Sequence, residues 1–231
     1  MNHRDLMRIH IEALFTHDAR GDLVRVNEPN GVPAPRFFFG RTAAGDVWSF
    51  RHDVEPDVRA ELEAVIGSDA HRGGGADSSI EPALYQDILS RCAPIERTEV
   101  GPAYSFPEQL PRAGDAIRVS NDNAELLTRH LAPWLPDVQL SQPMFVVACD
   151  GHAVAVCGSV RQTSEAYEAG VETVLAYRGR GYAARAVAAW AGVVRALGRI
   201  PLYSTSWQNT ASQSVARKLA LIQFGSDLHI T

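Results

Sequence analysis

The stretch "YRGRGYAARA", residues 177–186, decides how the rest of the sequence is interpreted. Its ten residues include two glycines, three arginines and no acidic residue. An apolar run ends before it and an alanine-rich run follows, which predicts a junction between a strand and a helix. At such a junction backbone N–H groups point outward and the helix dipole adds about half a positive charge. Glycine also lets a ligand approach the backbone closely. The stretch therefore predicts a loop that binds a phosphate group.

Two common nucleotide-binding motifs do not explain this loop. Gly179, Gly181 and Ala184 fit the pattern G-x-G-x-x-A of dinucleotide-binding folds, but that fingerprint expects an acidic residue about 20 positions later. No acidic residue appears before Asp227. A P-loop requires a lysine directly after its last glycine, and the only lysine of the sequence is Lys218.

The distribution of charge indicates a local anionic ligand. The net charge is −5, but residues 173–226 contain no Asp or Glu and seven basic residues, so the rest of the chain carries −5 − 7 = −12. A cationic segment within an acidic protein argues against nucleic acid as the partner. The sequence has no apolar run of the roughly 18 residues that a membrane helix needs, so we expect a cytoplasmic protein that does not bind a membrane.

Metal binding and disulfide bonds are not expected. The three cysteines, Cys92, Cys149 and Cys157, lack C-x-x-C spacing, which favours reduced thiols. His3, His10 and His17 recur every seven residues, whereas a metal-binding pair on a helix prefers a spacing of three or four. We interpret these histidines as surface or core residues.

Residues 1–115 are predicted to form a smaller α+β domain. Its predicted elements are a helix at 5–15, a hairpin of strands at 36–40 and 47–50, a helix at 56–66 ended by Gly67, and a helix opened by a capping box at Ser78 and running to Leu89. The stretch 101–114 is rich in proline and glycine and predicts the junction between two domains.

Residues 116–231 are predicted to form a second domain with a mixed central sheet flanked by helices, so the fold class is α/β, of the mixed α+β kind. The predicted strands are 117–119, 144–149, 152–160, 170–176, 201–205 and a final pair at 221–224 and 228–230. The predicted helices are 121–131, 182–197 and 212–219. Asp150 and Gly151 are a strong two-residue hairpin signal between the second and third strands.

This second half resembles the GCN5-related N-acetyltransferases (GNAT). The signature of that family is Q/R-x-x-G-x-G/A after its fourth strand, and here it reads Arg178, Gly181 and Ala183. Asn209 and Ser212 follow the next predicted strand, as the family's asparagine does. The resemblance implies an acetyl-CoA-dependent enzyme without a metal, which acetylates a primary amine of a small molecule or peptide. It assigns coenzyme A binding to Val171, Thr173, Val174, Arg178, Gly179, Arg180, Gly181, Tyr182, Ala183, Asn209 and Ser212.

The chemistry that the resemblance implies is direct attack of an amine on the thioester. A backbone N–H near residues 171–174 would stabilise the developing oxyanion, and Gly170 would permit a bulge that frees it. Glu172 and Glu168 are the candidate bases, because residues four apart on a strand share a face and two carboxylates there would raise one pKa. Glu172 is alternatively a contact for the substrate.

The sequence departs from the family pattern at the proton donor. The position at which the family often has a tyrosine is Ala216. The thiolate could then receive its proton from Tyr203, Tyr182, Cys157 or water, although Cys157 fits a buried core thiol better. The departure keeps open a second function, a non-catalytic module that binds acyl-CoA as a sensor or interaction domain, and an acyl chain longer than acetyl is a third. Residues 1–115 are expected to form a wall over the acceptor site or a homodimer contact.

Overall fold

A computed structural model describes residues 1–69, 80–111 and 113–231, and of Asp69 only the backbone. The helices are α1 (His3–Leu14), α2 (Pro56–Asp69), α3 (Pro82–Ser90), α4 (Tyr182–Ala196) and α5 (Thr210–Lys218). The strands are β1 (Phe15–His17), β2 (Leu23–Val26), β3 (Phe37–Arg41), β4 (Val47–Phe50), β5 (Thr98–Ser105), β6 (Ile117–Arg118), β7 (Met144–Cys149), β8 (His152–Gln162), β9 (Ala166–Thr173), β10 (Ile200–Ser204) and β11 (Ile222–Ile230). Short 3-10 segments lie at Asn121–Leu127, Ala132–Asp137 and Leu175–Tyr177.

The chain forms two compact units. The first contains Met1–Ala103, Ser204–Gln208 and Gln223–Thr231, and the second contains Tyr104–Tyr203 and Asn209–Ile222. Neither unit is continuous along the chain, because C-terminal segments return to the first. The division into domains at residues 115 and 116 stays a prediction.

The first unit is built on strands in the order β4-β3-β11-β5. The predicted hairpin is confirmed, with Phe37 opposite Phe50 in an antiparallel pair. The Phe37 ring stacks on the rings of Phe39 and Phe50, at centroid distances of 6.3 and 5.5 Å, and contacts Tyr85 at 5.2 Å. These aromatic contacts add to the burial that holds the sheet and α3 together.

Two helix boundaries in the first unit differ from the prediction. α2 does not end at Gly67 but continues to Asp69, because an isolated glycine costs a helix only about 1 kcal/mol. α3 begins at Pro82 with Glu81 at its N-cap. Proline suits the first turn because its missing N–H would have no partner there. Ser78, on which the predicted capping box depended, lies outside the described residues.

The predicted pair of C-terminal strands is wrong, because β11 runs through Gly225 as one strand. A Cβ at Gly225 would lie 2.7 Å from Cε of Met7 and 2.5 Å from the carbonyl oxygen of Arg41. Gly40 on β3 also faces Met7, whose Cγ would be 2.5 Å from a Cβ there. The glycine therefore makes room for a neighbouring strand and a methionine side chain, and it does not form a turn.

β5 lies where we predicted a domain junction. The sequence Gly101-Pro102 inside it is usually a sign of a loop. Here Gly101 admits a second backbone, since a Cβ on it would lie 1.7 Å from the carbonyl oxygen of Thr205. Thr205 donates its N–H to the Pro102 carbonyl at 3.3 Å. The glycine marks a close approach of two backbones.

A buried carboxylate of the first unit is held by two histidines. Asp227 accepts from Nε2 of His10 at 2.9 Å and lies 3.3 Å from Nε2 of His229. Burial opposes the negative charge of Asp227, but the two histidines outweigh it and hold the pKa of this carboxyl well below its usual range. His10 is fully buried, which agrees with the interpretation of the N-terminal histidines as surface or core residues.

The second unit has strands in the order β10-β9-β8-β7-β6. β7 and β8 form the predicted hairpin, and Asp150 and Gly151 have positive φ angles of 50° and 77°, as a two-residue turn of type I′ requires. α4 packs on one face of this sheet around the buried Trp190, whose Nε1 donates to Oγ of Ser159 at 2.9 Å. The 3-10 segments Asn121–Leu127 and Ala132–Asp137 supply apolar side chains to a separate cluster with β7 and β8.

Two elements of the second unit differ from the prediction. The helix expected at 121–131 is replaced by 3-10 turns. Asn123 has a non-helical φ of −138°, and its side chain and that of Ser120 cap each other's backbone N–H groups, a local alternative to helix that Ser and Asn favour. The strand expected at 170–176 is β9, which starts at Ala166 and ends at Thr173, before the 3-10 turn.

Candidate functional site

The strands β9 and β10 are paired over only part of their length. They are parallel, and in the described structure their register runs from Ile200 opposite Ala166 to Leu202 opposite Glu168 and ends there. β9 continues to Thr173. Beyond Glu168, one edge of this strand is bonded to β8, and no strand of the described residues pairs with its other edge.

The hydrogen bonds to β8 show which residues of β9 face the open edge. Val174 donates its N–H to the Val154 carbonyl at 3.0 Å, and Val156 lies opposite Glu172. Because backbone groups of an antiparallel pair alternate between the two edges, Glu172 is bonded toward β8. The N–H and C=O groups of Val171 and Thr173 therefore point to the open edge. The N–H of Val174 is bonded to β8, and the roles of Val171, Thr173 and Val174 toward coenzyme A stay predictions.

The glycine loop follows β9 directly and leads into α4. Gly179 and Gly181 have φ angles of 79° and 83°, in the left-handed region that favours glycine. No described heavy atom beyond the adjoining residues lies within 4 Å of the position that a Cβ would take on either glycine. Gly181 is the N-cap of α4 and provides no side chain to cap it, so N–H groups of the first turn remain for a ligand. Tyr182 and Ala183 form that first turn.

The arginines of the loop are partly ordered by neighbouring groups. Arg178 is exposed, and its Nε donates to the carbonyl of Thr173 at 3.1 Å. The Arg180 guanidinium lies over the ring of Tyr177, 5.4 Å from its centroid. Arg185 is bonded to the Asp115 carboxylate, so of the three arginines in the stretch Arg178 and Arg180 are those placed at the loop itself.

Solved structures of GCN5-related N-acetyltransferases resemble this chain in fold. No protein-family model matches the sequence, and no curated protein is significantly similar to it. A GCN5-related N-acetyltransferase from Sphaerobacter thermophilus is similar in structure, with a TM-score of 0.51 and 16% identity. The match covers 90% of this chain and 79% of that protein. A GNAT-family acetyltransferase from Colwellia psychrerythraea has a TM-score of 0.50 and 12% identity. That match covers 80% of this chain and 75% of the other protein.

The chain has the fold of the GCN5-related N-acetyltransferases. A further GNAT-family protein, from Novosphingobium aromaticivorans, is 20% identical and has a TM-score of 0.49; the match covers 59% of this chain and 66% of that protein. The two matches with TM-scores of 0.50 and 0.51 confirm the predictions of the GNAT fold and of a mixed sheet flanked by helices. At these identities the likeness concerns the fold, and the site has to be argued from the residues of this chain.

Asn209, Ser212 and Tyr203 form a local network at the start of α5. Asn209 is the N-cap of the helix, and its Oδ1 accepts from the N–H of Ser212 at 3.0 Å. The Ser212 hydroxyl lies 2.6 Å from the hydroxyl of Tyr203. Burial is the main cause that raises the pKa of the Tyr203 hydroxyl, which keeps it protonated. Roles of Asn209 and Ser212 toward coenzyme A stay predictions.

The candidate proton donors differ in exposure: Tyr203 is 2% exposed, and Tyr182, in the first turn of α4, is partly exposed. Cys157 is fully buried, and burial raises the pKa of its thiol. Ala216, at the position of the family tyrosine, is 1% exposed within the same core as Trp190. A side chain at this position of α5 therefore packs into the core.

The two candidate bases lie in different surroundings. Glu168 is 2% exposed and stands opposite Arg161 of β8, where the pairing with β10 ends. Glu172 is exposed. At about 3.3 Å per residue they are roughly 13 Å apart along β9, too far for the strong mutual effect of adjacent carboxylates. Gly170, between them, does not bulge; the register shift lies on β8, between Ser159 and Arg161.

Sequence reasoning missed one residue of this site, Trp134. Its Nε1 donates to Oε2 of Glu172 at 2.7 Å. A Cβ on Gly158 or on Gly170 would lie 3.2 Å from an atom of its six-membered ring. The only hint in the sequence is a tryptophan flanked by Pro133 and Pro136, which does not by itself indicate a contact with β9.

Among the described residues, no three or more His, Cys, Asp or Glu side chains are grouped so as to hold a metal ion. None of the helices in the described ranges has the length and apolar composition needed to cross a membrane.

Proposed function

We propose that the protein is an acetyl-CoA-dependent N-acetyltransferase that acetylates a primary amine of a small molecule or peptide. The observation that carries this proposal is the open edge of β9, which leads directly into a glycine loop at the N-terminus of α4. An open strand edge can pair with the amide groups of an extended ligand, and a helix N-terminus binds phosphate. Acetyl-CoA combines both, because its pantetheine arm contains two amides and joins a diphosphate.

The residues of the chain fit such a ligand. Val171 and Thr173 present backbone groups at the edge. Gly179 and Gly181 leave space around the loop, and the guanidinium groups of Arg178 and Arg180 suit phosphate oxygens. The Arg178 side chain bonds the Thr173 carbonyl, so we expect it to turn when the ligand binds.

The reaction requires one bond to form and one to break. Acetyl-CoA supplies an activated acetyl group. The amine nitrogen bonds to the acetyl carbonyl carbon, the carbon–sulfur bond breaks, the nitrogen loses one proton, and the sulfur leaves as a thiolate that takes up a proton. The exposed carboxylate of Glu172 accepts the amine proton, directly or through one water. Tyr203, whose hydroxyl bonds the Ser212 hydroxyl at the start of α5, is our candidate donor to the thiolate.

The loop assignment is tested by comparing the same substitution at both ends of α4. Gly181→Glu places a carboxylate at the proposed diphosphate site, and such a like-charge contact costs several kcal/mol, which is more than about 100-fold in affinity. Gly198→Glu is the matched control, since Gly198 also has a positive φ, of 72°, and no described atom within 4 Å of its Cβ position. Calorimetry with coenzyme A should show loss of binding for the first variant and wild-type affinity for the second.

Turnover is measured separately, as release of free thiol from acetyl-CoA in the presence of diamines, amino-acid amides and a short peptide with a free N-terminus. We expect thiol release from the wild-type protein with at least one amine and none from G181E. Equal affinity of wild type and G181E for coenzyme A would remove the loop from the proposal.

One observation favours a second function, a non-catalytic module that binds acyl-CoA. The position of the family tyrosine is the buried Ala216, so the proton donor that the resemblance leads one to expect is missing there. The same measurements separate the two functions. Tight binding of acetyl-CoA without thiol release from any amine would support the module.

A further inference from the structure

Trp134 lies over the paired strands β8 and β9, next to Glu172. It belongs to the 3-10 segment Ala132–Asp137 and packs against the apolar cluster beside β7 and β8. Gly158 of β8 and Gly170 of β9 stand opposite each other in register. Because neither has a side chain, the pair leaves a flat area of backbone that the indole ring covers. The ring is thus fixed in place by both strands.

The indole N–H of Trp134 is directed at the carboxylate of Glu172. Gly170 and Glu172 are two positions apart on β9 and share a face, so a ring lying over the glycine reaches the carboxylate. The distance of 2.7 Å between Nε1 and Oε2 is that of a short charge-assisted hydrogen bond. One oxygen of Glu172 is therefore oriented by the indole.

This bond has little value for stability. Glu172 is exposed, so water can solvate its carboxylate, and exposed polar pairs contribute little to the free energy of unfolding. Trp190 shows the contrasting case, since its Nε1 donates to Ser159 where both residues are buried. There the hydrogen bond satisfies two groups that water does not reach.

We propose that Trp134 is a positioning residue that holds the carboxylate of Glu172 in a fixed direction beside the open edge of β9. The proposal rests on the function proposed above. Trp134 does not take up a proton itself. It restricts the rotamers of Glu172 and leaves the second carboxylate oxygen to accept the proton of the amine. The backbone groups of Val171 and Thr173, on either side of Glu172, face the edge at which the co-substrate would lie.

A double-mutant cycle tests whether Trp134 acts through Glu172. Trp134→Phe keeps an aromatic ring over the two glycines and removes the N–H donor. Glu172→Gln keeps an oxygen that accepts this N–H and removes the basic carboxylate. Trp190→Phe is the control, because it removes an indole N–H from the same unit but away from Glu172. The kcat and the KM for the amine are measured with acetyl-CoA and the amine that gives the fastest thiol release, and calorimetry measures acetyl-CoA affinity.

We expect W134F to lower kcat by about 10- to 100-fold, which is the effect that a small misplacement of a catalytic group has on the rate. The affinity for acetyl-CoA should not change. E172Q should lower kcat by about 100-fold or more. The double variant should be no slower than E172Q alone. W190F should lower the melting temperature without lowering kcat.

A second measurement observes the contact without turnover. The protein has four tryptophans, and the indole ¹H–¹⁵N signal of Trp134 is the one that W134F removes. This signal should shift in Glu172→Ala, which removes the acceptor of the indole N–H, while the signal of Trp190 should not. An unshifted Trp134 signal would show that the contact is absent in solution and would overturn the proposal.

The outcomes separate the inference from the proposed function. A loss of kcat in W134F that is equally large in the E172Q background, or no loss in W134F, refutes the positioning role while the acetyltransferase stands. A wild-type protein that binds acetyl-CoA but releases no thiol with any amine refutes the proposed function, and the positioning role with it.

Discussion

Gly170 provides a prediction in which a second substitution should repair the damage of the first. Val160 is the extra residue of β8 at the register shift between Ser159 and Arg161. A Cβ on Gly170 would lie only 2.1 Å from Cγ1 of Val160. Since carbon atoms pack at about 3.5 Å or more, the Gly170→Ala substitution would require a displacement of about 1.4 Å. Val160 cannot easily turn away, because a β-branched side chain has few allowed rotamers.

The expected free energies follow from this overlap. Gly170→Ala should lower the free energy of unfolding by about 1–3 kcal/mol, as overpacking usually does. Val160→Ala alone should cost about 1 kcal/mol, because this side chain is only half-buried. In the double variant the overlapping methyl group is gone, and the alanine at 170 should add only the smaller cost of its 3.2 Å approach to the Trp134 ring. The coupling energy between the two sites should therefore be about 1–3 kcal/mol in favour of the double variant.

Urea unfolding followed by circular dichroism measures these values in the four proteins. Gly158→Ala is a control on the partner strand, since its nearest described contacts would be 3.2 Å away, at Ser141 and Trp134. It should cost less than G170A and should not be relieved by V160A. If G170A is equally destabilising with valine or alanine at position 160, the packing described for β8 and β9 is incorrect.

The remaining predictions concern pH, thiol reactivity and helix capping. Because the pKa of Asp227 is lowered in the folded state, its carboxylate should stabilise the fold above pH of about 4 and lose this effect at lower pH. Acid unfolding of D227N should then depend less on pH than that of the wild type or of the exposed-site control D57N. Iodoacetamide should alkylate the exposed Cys92 of the native protein and not the buried Cys157, as mass spectrometry of the digested protein can show. N209A should cost about 1 kcal/mol in urea unfolding through loss of the cap.

The parts of the fold that the sequence predicts are those set by local chemistry. The turn at Asp150 and Gly151 needs positive φ angles that these residues tolerate. α4 has a glycine on each side, and both Gly181 and Gly198 have positive φ. Its interior is rich in alanine, which favours a helix. The sequence therefore predicts the helix, both of its ends and the glycine loop before it. The phosphate-loop hypothesis came from the same few residues.

Two other glycines led to wrong predictions of local structure, because the sequence does not distinguish a glycine that forms a turn from one that admits a close contact. Gly101 and Gly225 both lie inside strands, the first against the backbone of Thr205 and the second against Met7. Trp134 and Glu172 are 38 positions apart, and their contact depends on the register of two strands and on a glycine pair. Nothing in the spacing of residues along the chain reveals such a register.

The extra residue in β8 places the two glutamates on one face of β9 in different surroundings. The pair Gly158 and Gly170 and the pair Val156 and Glu172 follow one register. If this register continued along β8, Arg161 would lie opposite Tyr167. The shift at Val160 instead places Arg161 opposite Glu168, on the same face and at cross-strand distances of about 5 Å between Cβ atoms. Glu168 thus has a cationic residue as its neighbour across the strands and is buried, whereas the neighbour of Glu172 is Val156, which cannot bind a proton or a charge. This difference supports the proposal that Glu172, which accepts a hydrogen bond from Trp134, is the carboxylate that exchanges a proton with the substrate, and that Glu168 has a structural role.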